Sequence, residues 1–350
     1  MDSFGALKVL HLSFHSGCIQ DFDVVARDLG LDVTVWYPLQ SKESHDRFDN
    51  QCPNWNSIYN IGHDRAKRVW DLNKEYFNSF DVVVTSDTAP LARIFLQNEW
   101  KKPLVIWICN RFDYCDYGSL DCDFPDQEYY DLFRKASTQK NVTIVGYVAY
   151  EHFYAQNKGV NTGSLVIKPC GSLETGFRGG KSAIPVAVKK EETFVIPPRE
   201  GSEYLMSKCK ELGIKAYTGN YSGPYDLKDF KGIIHFPYAW SNLALFENMH
   251  LGLVHFVPSA QLLKTWFHSG MRSTYPFFSL NDVNNLHLSE WYCPEHKDLI
   301  VYFDSWVDLK KKVESTDYAA MRKKIKAFGE HHKQEMLRRW SGVFDNARKV

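Results

Sequence analysis

Short runs rich in Val and Ile alternate along the chain with stretches of helical period, and this alternation occurs twice. In the first half the runs cover 7–14, 31–37, 81–85, 103–109, 142–147 and 164–168. Their apolar residues are consecutive rather than alternate, as in strands buried on both faces of a parallel sheet. Between the first two runs, 21–29 sets Phe22, Val25 and Leu29 on one helical face, and Gly30 supplies the stop before the next strand.

The pattern breaks where Gly171, Gly176, Gly179, Gly180 and Pro185 crowd together ahead of the charged run 189–192. The alternation then restarts with strands expected at 193–197, 214–218, 232–237, 253–257 and 298–303, and helices at 202–212 and 243–250. The expected organisation is an α/β chain with a Rossmann-like domain at 1–170, a linker at 171–192, a second Rossmann-like domain at 193–316 and a closing segment at 317–350. In that last segment Tyr318, Met321, Ile325, Phe328 and Trp340 recur at helical spacing among lysines and arginines, predicting an amphipathic helix whose basic residues form a solvated face.

Composition narrows the function classes. The chain has 350 residues, with 42 basic and 42 acidic side chains, so no global positive field draws it to nucleic acid. Eight cysteines are too sparse for a disulfide scaffold and none stands in C-x-x-C spacing. The apolar run at the start is too brief for a signal-peptide core, which leads us to expect a cytoplasmic protein. Nowhere do eighteen apolar residues run together, so no integral membrane segment is expected.

Two local motifs mislead. The stretch 176–182, G-F-R-G-G-K-S, is one residue short of a P-loop, and Pro185 interrupts the helix that should follow. Asp121-Cys122-Asp123 has the carboxylate spacing of a metal pair but sits in loop-like sequence, so no metal site is expected.

The informative stretch is 235–259, H-F-P-Y-A-W-S-N-L-A-L-F-E-N-M-H-L-G-L-V-H-F-V-P-S. A strand ends near Pro237, Ser241 or Asn242 can cap a helix, and the first N–H groups of that helix suit a phosphate. Glu247 follows in the second turn and Gly252 closes the helix. Here the chain resembles the carboxyl-terminal domain of GT-B glycosyltransferases, in which a Glu on this helix, five positions before a Gly, accepts hydrogen bonds from the ribose hydroxyls of a nucleotide sugar. The alternative for Glu247 is a solvated carboxylate. Residues 193–199, T-F-V-I-P-P-R, look like the family's nucleotide-domain first strand and loop, with Arg199 reaching the diphosphate; the alternative is a surface arginine. Thr218 and Gly219 resemble the place where the base is met. The tail matches the family's closing helix, which crosses back to the first domain.

The resemblance implies two Rossmann-like domains facing a cleft and transfer of a sugar from a nucleoside diphosphate sugar, UDP favoured over GDP, to a glycan hydroxyl, without cofactor or metal. Many retaining members carry a second Glu eight positions before the ribose Glu; here that position is Ala239, which points to inversion. Inversion needs a general base from the first domain. Asp113 follows the 103–109 run and is preferred, then His15 after the first strand; Asp87 also follows a strand, but could instead cap the helix containing Leu91 and Phe95. Asp113 could equally pair with Arg111, and His15 could be a core or loop histidine. Trp240 beside the expected helix start and Tyr114 beside Asp113 are the rings singled out for a sugar contact. The rivals are a non-catalytic two-lobed nucleotide-sugar or solute-binding protein, and a nucleotide-sugar epimerase of the same architecture.

Overall fold

The computed structural model describes residues 7–52, 56–114, 126–173, 184–198, 201–268 and 282–350. The chain forms two compact units, Met1–Lys168 with Met336–Val350, and Pro169–Glu335.

Unit 1 runs β1 (Lys8–Ser13), α1 (Ser16–Leu29), β2 (Asp32–Trp36), α2 (Lys42–Phe48), α3 (His63–Asn78), β3 (Val82–Ser86), α4 (Arg93–Leu96), β4 (Leu104–Ile108), α5 (Gln127–Ala136), β5 (Val142–Gly146) and α6 (Ala149–Asn157). The strands pair in parallel in the order β2-β1-β3-β4-β5. Every residue of β3 and β4 is buried, which is why their Val and Ile positions run together without alternation. Because β1 lies between β2 and β3, the winding reverses between β1 and β3. The crevice beyond the carboxyl ends of those strands is where open α/β sheets take ligands.

Two expectations shift here. The helix expected at 21–29 starts earlier, at Ser16, because His15 caps it. The run 164–168 is not a strand: it touches β5 only through the bridge between Gly146 and Val166. Its Ile167 carbonyl is taken by the Trp107 indole N–H at 3.1 Å.

Unit 2 runs β6 (Phe194–Val195), α7 (Ser202–Glu211), β7 (Ala216–Tyr217), β8 (Gly232–Ile234), α8 (Leu243–His250), β9 (His255–Pro258), α9 (Ala260–His268), β10 (Ile300–Phe303) and α10 (Trp306–Ser315). Its strands, all parallel, lie in the order β7-β6-β8-β9-β10. The winding therefore repeats that of unit 1, with the reversal between β6 and β8.

The final helix, α11 (Tyr318–Ala347), serves both units in turn. In unit 2, Phe246 of α8 stacks on His332 with centroids 4.9 Å apart. In unit 1, Trp340 is fully buried and meets Phe22 and Trp107, each edge-on at 5.3 Å. Arg339 donates to the Val166 carbonyl at 2.8 Å, fixing the 164–168 run without a ladder. Among the described residues no helix is long and apolar enough to cross a membrane.

Candidate functional site

In unit 2 the carboxyl edge of the sheet presents the start of α8. Asn242 is the N-cap: its Oδ1 accepts from the Ala244 N–H at 3.0 Å, while its Nδ2 donates to the Tyr238 hydroxyl at 3.1 Å. The Leu245 N–H is taken by the Asn242 carbonyl at 3.0 Å, and the helix dipole makes this end positive. There the Ser241 hydroxyl is buried and makes no hydrogen bond among the described residues. An orphaned hydroxyl at a capped helix start is a ready donor to an anion.

Glu247 lies one turn further along and is buried, only 8% exposed. Gly252, five residues on, is required twice over. Its φ is +69°, and a Cβ there would stand 2.8 Å from the Arg322 carbonyl oxygen of α11. The Glu-to-Gly spacing thus has a packing cause as well as a chemical reading. Gly171 makes a second close approach, with φ +82° and a built Cβ 2.9 Å from the Phe246 carbonyl of α8.

Thr218 and Gly219 follow β7 at the same edge, both half-buried. Trp240 is 1% exposed and so belongs to the core, not to a sugar platform. The loop that carries it is tied down from below: the Glu290 N–H donates to the Trp240 carbonyl at 2.9 Å and the Trp291 indole to the Ala239 carbonyl at 3.1 Å. His235, after β8, stacks on Trp291 at 4.3 Å.

Unit 1 gathers titratable groups at its own carboxyl edge. Asp87, directly after β3, is 6% exposed and has a left-handed backbone, φ +73°. That conformation is uncommon outside glycine. Burial pushes the carboxyl up to about 7. Its Oδ1 accepts from Asn110 Nδ2 at 3.1 Å. It does not cap the following turn, Ala89–Ala92, whose cap residue is Thr88 and which has no side-chain cap bond.

Asp113 is held differently. Its Oδ2 accepts from the Tyr130 hydroxyl at 2.5 Å and the Tyr154 hydroxyl at 3.4 Å, while its Oδ1 is buried without a partner. Arg111 pairs with Glu151, not Asp113: Nη2 to Oε1 is 3.0 Å, with both side chains buried. Burial pushes the Glu151 carboxyl up to about 7, with Arg111 opposing and Asp113 reinforcing the shift. Its charge and that of Asp87 are both felt at the Cys109 thiol, which burial raises above its ordinary value. The Cys18 and Cys109 sulfurs are 3.8 Å apart.

His15 is exposed at the mouth of this edge, and its Nδ1 accepts from the Cys18 N–H at 3.3 Å. With the Nδ1 lone pair used for capping, the neutral ring carries its proton on Nε2 and presents a donor, not an acceptor. Tyr114 is half-buried, and its N–H donates to the Arg111 carbonyl at 2.9 Å. His11 is buried against Ser86 Oγ at 2.8 Å, and burial lowers its ring to about 3, so it stays neutral. Arg199, the 121–123 pair and the 176–182 stretch lie outside the described residues.

The structure thus places Thr218, Gly219, Ser241, Asn242 and Glu247 in unit 2, and His15, Asp87 and Asp113 in unit 1, each set at the carboxyl edge of its sheet. Glu151 and Asn110 were not anticipated. A carboxylate in the first turn after a buried strand was the available signal for Glu151.

No family model and no curated protein sequence matches the chain. Solved structures do. UDP-GlcNAc 2-epimerase from Neisseria meningitidis bound to UDP-GlcNAc aligns with a TM-score of 0.55 at 9% identity over 98% of this chain and 100% of that one. A putative UDP-N-acetylglucosamine 2-epimerase from Listeria monocytogenes aligns at 0.53 and 10% identity, over 97% of each chain. Arabidopsis thaliana UGT89C1 complexed with UDP aligns at 0.53 and 12% identity, over 97% of this chain and 100% of that one. The likeness is one of fold, and with the two like-wound sheets it shows that this chain has the GT-B fold, with two Rossmann-like units.

Proposed function

We propose that this chain is an enzyme of nucleoside diphosphate sugars, with UDP as the nucleotide, and that it carries out acid–base chemistry on the bound sugar. The observation that carries the reading is in unit 2. The capped start of α8, with the unpartnered Ser241 hydroxyl beside it and buried Glu247 one turn on, offers donors for a diphosphate and a bidentate acceptor for ribose hydroxyls. Thr218 and Gly219 would meet the base. That UDP or a UDP-sugar is bound in structures of the same fold supports this choice of ligand.

Within that reading, epimerisation is favoured over transfer. Inverting a carbon centre means taking a proton on one face and returning one on the other, which calls for groups that exchange protons near neutrality. Asp87 is such a group, and its strained backbone at the strand reversal is what a functional carboxyl displays. The acid–base role therefore passes from Asp113, whose carboxylate is engaged by two tyrosines, to Asp87, whose carboxyl burial raises to about 7. UDP-GlcNAc 2-epimerases share this fold, which favours the same reading. Transfer to a glycan hydroxyl is the second reading. It is favoured by exposed His15 at the end of β1, which would have to give up its helix cap to act as a base.

The test is product analysis from a panel of UDP-sugars in deuterated water, with and without glycan acceptors. Epimerisation gives an isomerised, deuterium-labelled nucleotide sugar without any acceptor. A product formed only with acceptor, and without label, would move the reaction to transfer; UDP binding without turnover would leave a binding protein.

A further inference from the structure

Unit 2 contains a buried side-chain trio that the nucleotide reading does not use. Glu290, Cys293 and His296 lead into and through the short turn Pro294–His296, are 1%, 9% and 0% exposed, and each offers a ligand-type atom within 4.8 Å of the other two. Glu290 Oε2 is 4.0 Å from Cys293 Sγ and 3.6 Å from His296 Nδ1. His296 Nδ1 is also 2.7 Å from the Glu290 carbonyl oxygen, to which it donates. That bond puts the ring proton on Nδ1, so the 3.6 Å contact is not a ligand distance and a metal would be met by the buried Nε2, with the carbonyl orienting the imidazole from behind. Phe246 and Phe328 stand edge-on to the ring at 5.9 and 5.3 Å, enclosing it in apolar surface.

We propose that Glu290, Cys293 and His296 hold one zinc ion. Burying a carboxylate is costly, and so is burying a thiolate, and Glu290 and Cys293 are 1% and 9% exposed. A divalent cation bound by both, with a neutral imidazole, makes a site of zero net charge. The donor set selects the metal: thiolate and imidazole suit zinc, whereas magnesium and calcium require oxygen ligands. Binding would release the thiol proton to solvent and oxidise nothing. The ion would act as a brace, because the backbone of Glu290 and the ring of Trp291 hold the loop leading into α8 through the Trp240 and Ala239 carbonyls. The proposal does not depend on what that loop binds.

The test uses the full chain, purified without metal-affinity steps from zinc-supplemented cells, desalted and analysed for metal by mass spectrometry. About one zinc per chain is expected in the wild type, falling at least tenfold in Cys293→Ser and Glu290→Gln. Because a buried substitution can unfold the chain, the wild type carries a second measurement. After stripping, cobalt(II) should produce thiolate-to-metal charge-transfer absorption that saturates at one equivalent, and added zinc should raise the thermal midpoint. A folded wild type that retains less than a tenth of an equivalent of zinc and shows no thiolate–cobalt band overturns the proposal. UDP affinity measured on the same samples separates the two claims: absent zinc with intact UDP binding refutes only the metal site, and zinc retained without UDP binding refutes only the nucleotide reading.

Discussion

Where β1 and β3 diverge in unit 1, Asp87 follows β3 and His15 follows β1, with Glu151 after β5, and burial raises both carboxyls to about 7. Where β6 and β8 diverge in unit 2, the corresponding edge carries a capped helix start, an orphaned serine hydroxyl and a buried glutamate. The winding is the same and the chemistry is not. A parallel sheet fixes where side chains can converge on a ligand, and the residues after each strand decide whether that place exchanges protons or holds an anion. In unit 1, β1, β3 and β4 have five or six residues with fully buried centres, so polar groups at their ends lose water and shift their titration. The strands of unit 2 have two to four residues, and the helix that follows β8 supplies the chemistry through its backbone.

Substitutions on each side should therefore fail differently. The largest effect is expected for Asp87→Asn: turnover should drop by about two orders of magnitude or more while UDP affinity is unchanged, as seen by steady-state kinetics beside calorimetry. Loss of UDP affinity in this variant would remove the division of labour. Next comes Glu247→Ala, which should weaken UDP by about tenfold to a hundredfold, the scale of losing charge-assisted bonds to two hydroxyls; Ser241→Ala should cost less, within about tenfold.

The third effect concerns stability against pH. The Asp87 carboxyl is raised from 3.8 to about 7 by burial, so between those values the folded chain holds a proton that the unfolded chain has released. Stability then falls as pH rises through that window and levels off above it. Asp87→Asn removes the penalty and suits the left-handed backbone, so at pH 8 it should unfold at a higher temperature than the wild type, with the gap closing toward pH 4. A gap that does not change with pH would show that the carboxyl is not raised. The smallest effect is at His15. His15→Ala should cost about 1 kcal/mol through the lost cap and leave acceptor-independent turnover largely intact; loss of all turnover would favour transfer.

Much of the fold could be read in the chain itself. The unbroken Val and Ile runs of β3 and β4 announce strands buried on both faces, and Gly30 marks the end of α1 at its true place. The 164–168 run misled because side chains hold its backbone carbonyls, Arg339 of α11 that of Val166 and the Trp107 indole that of Ile167, contacts that no local period encodes. The unit 2 site was the more legible because a cap, a carboxylate and a glycine lie within a dozen residues. The unit 1 site depends on tertiary burial. Nothing around Asp113 in sequence shows that Tyr130 and Tyr154 will occupy it, and nothing around Asp87 shows a positive φ. Arg111 found Glu151 across forty positions, a pairing set by β4 and β5 lying side by side.

The most direct measurement is calorimetric titration of UDP into the wild-type chain, Glu247→Ala and Asp87→Asn. The account predicts saturable binding to the wild type, the same affinity for Asp87→Asn and a loss of about tenfold or more for Glu247→Ala. No heat of binding to the wild type, or an undiminished affinity in Glu247→Ala, would contradict it.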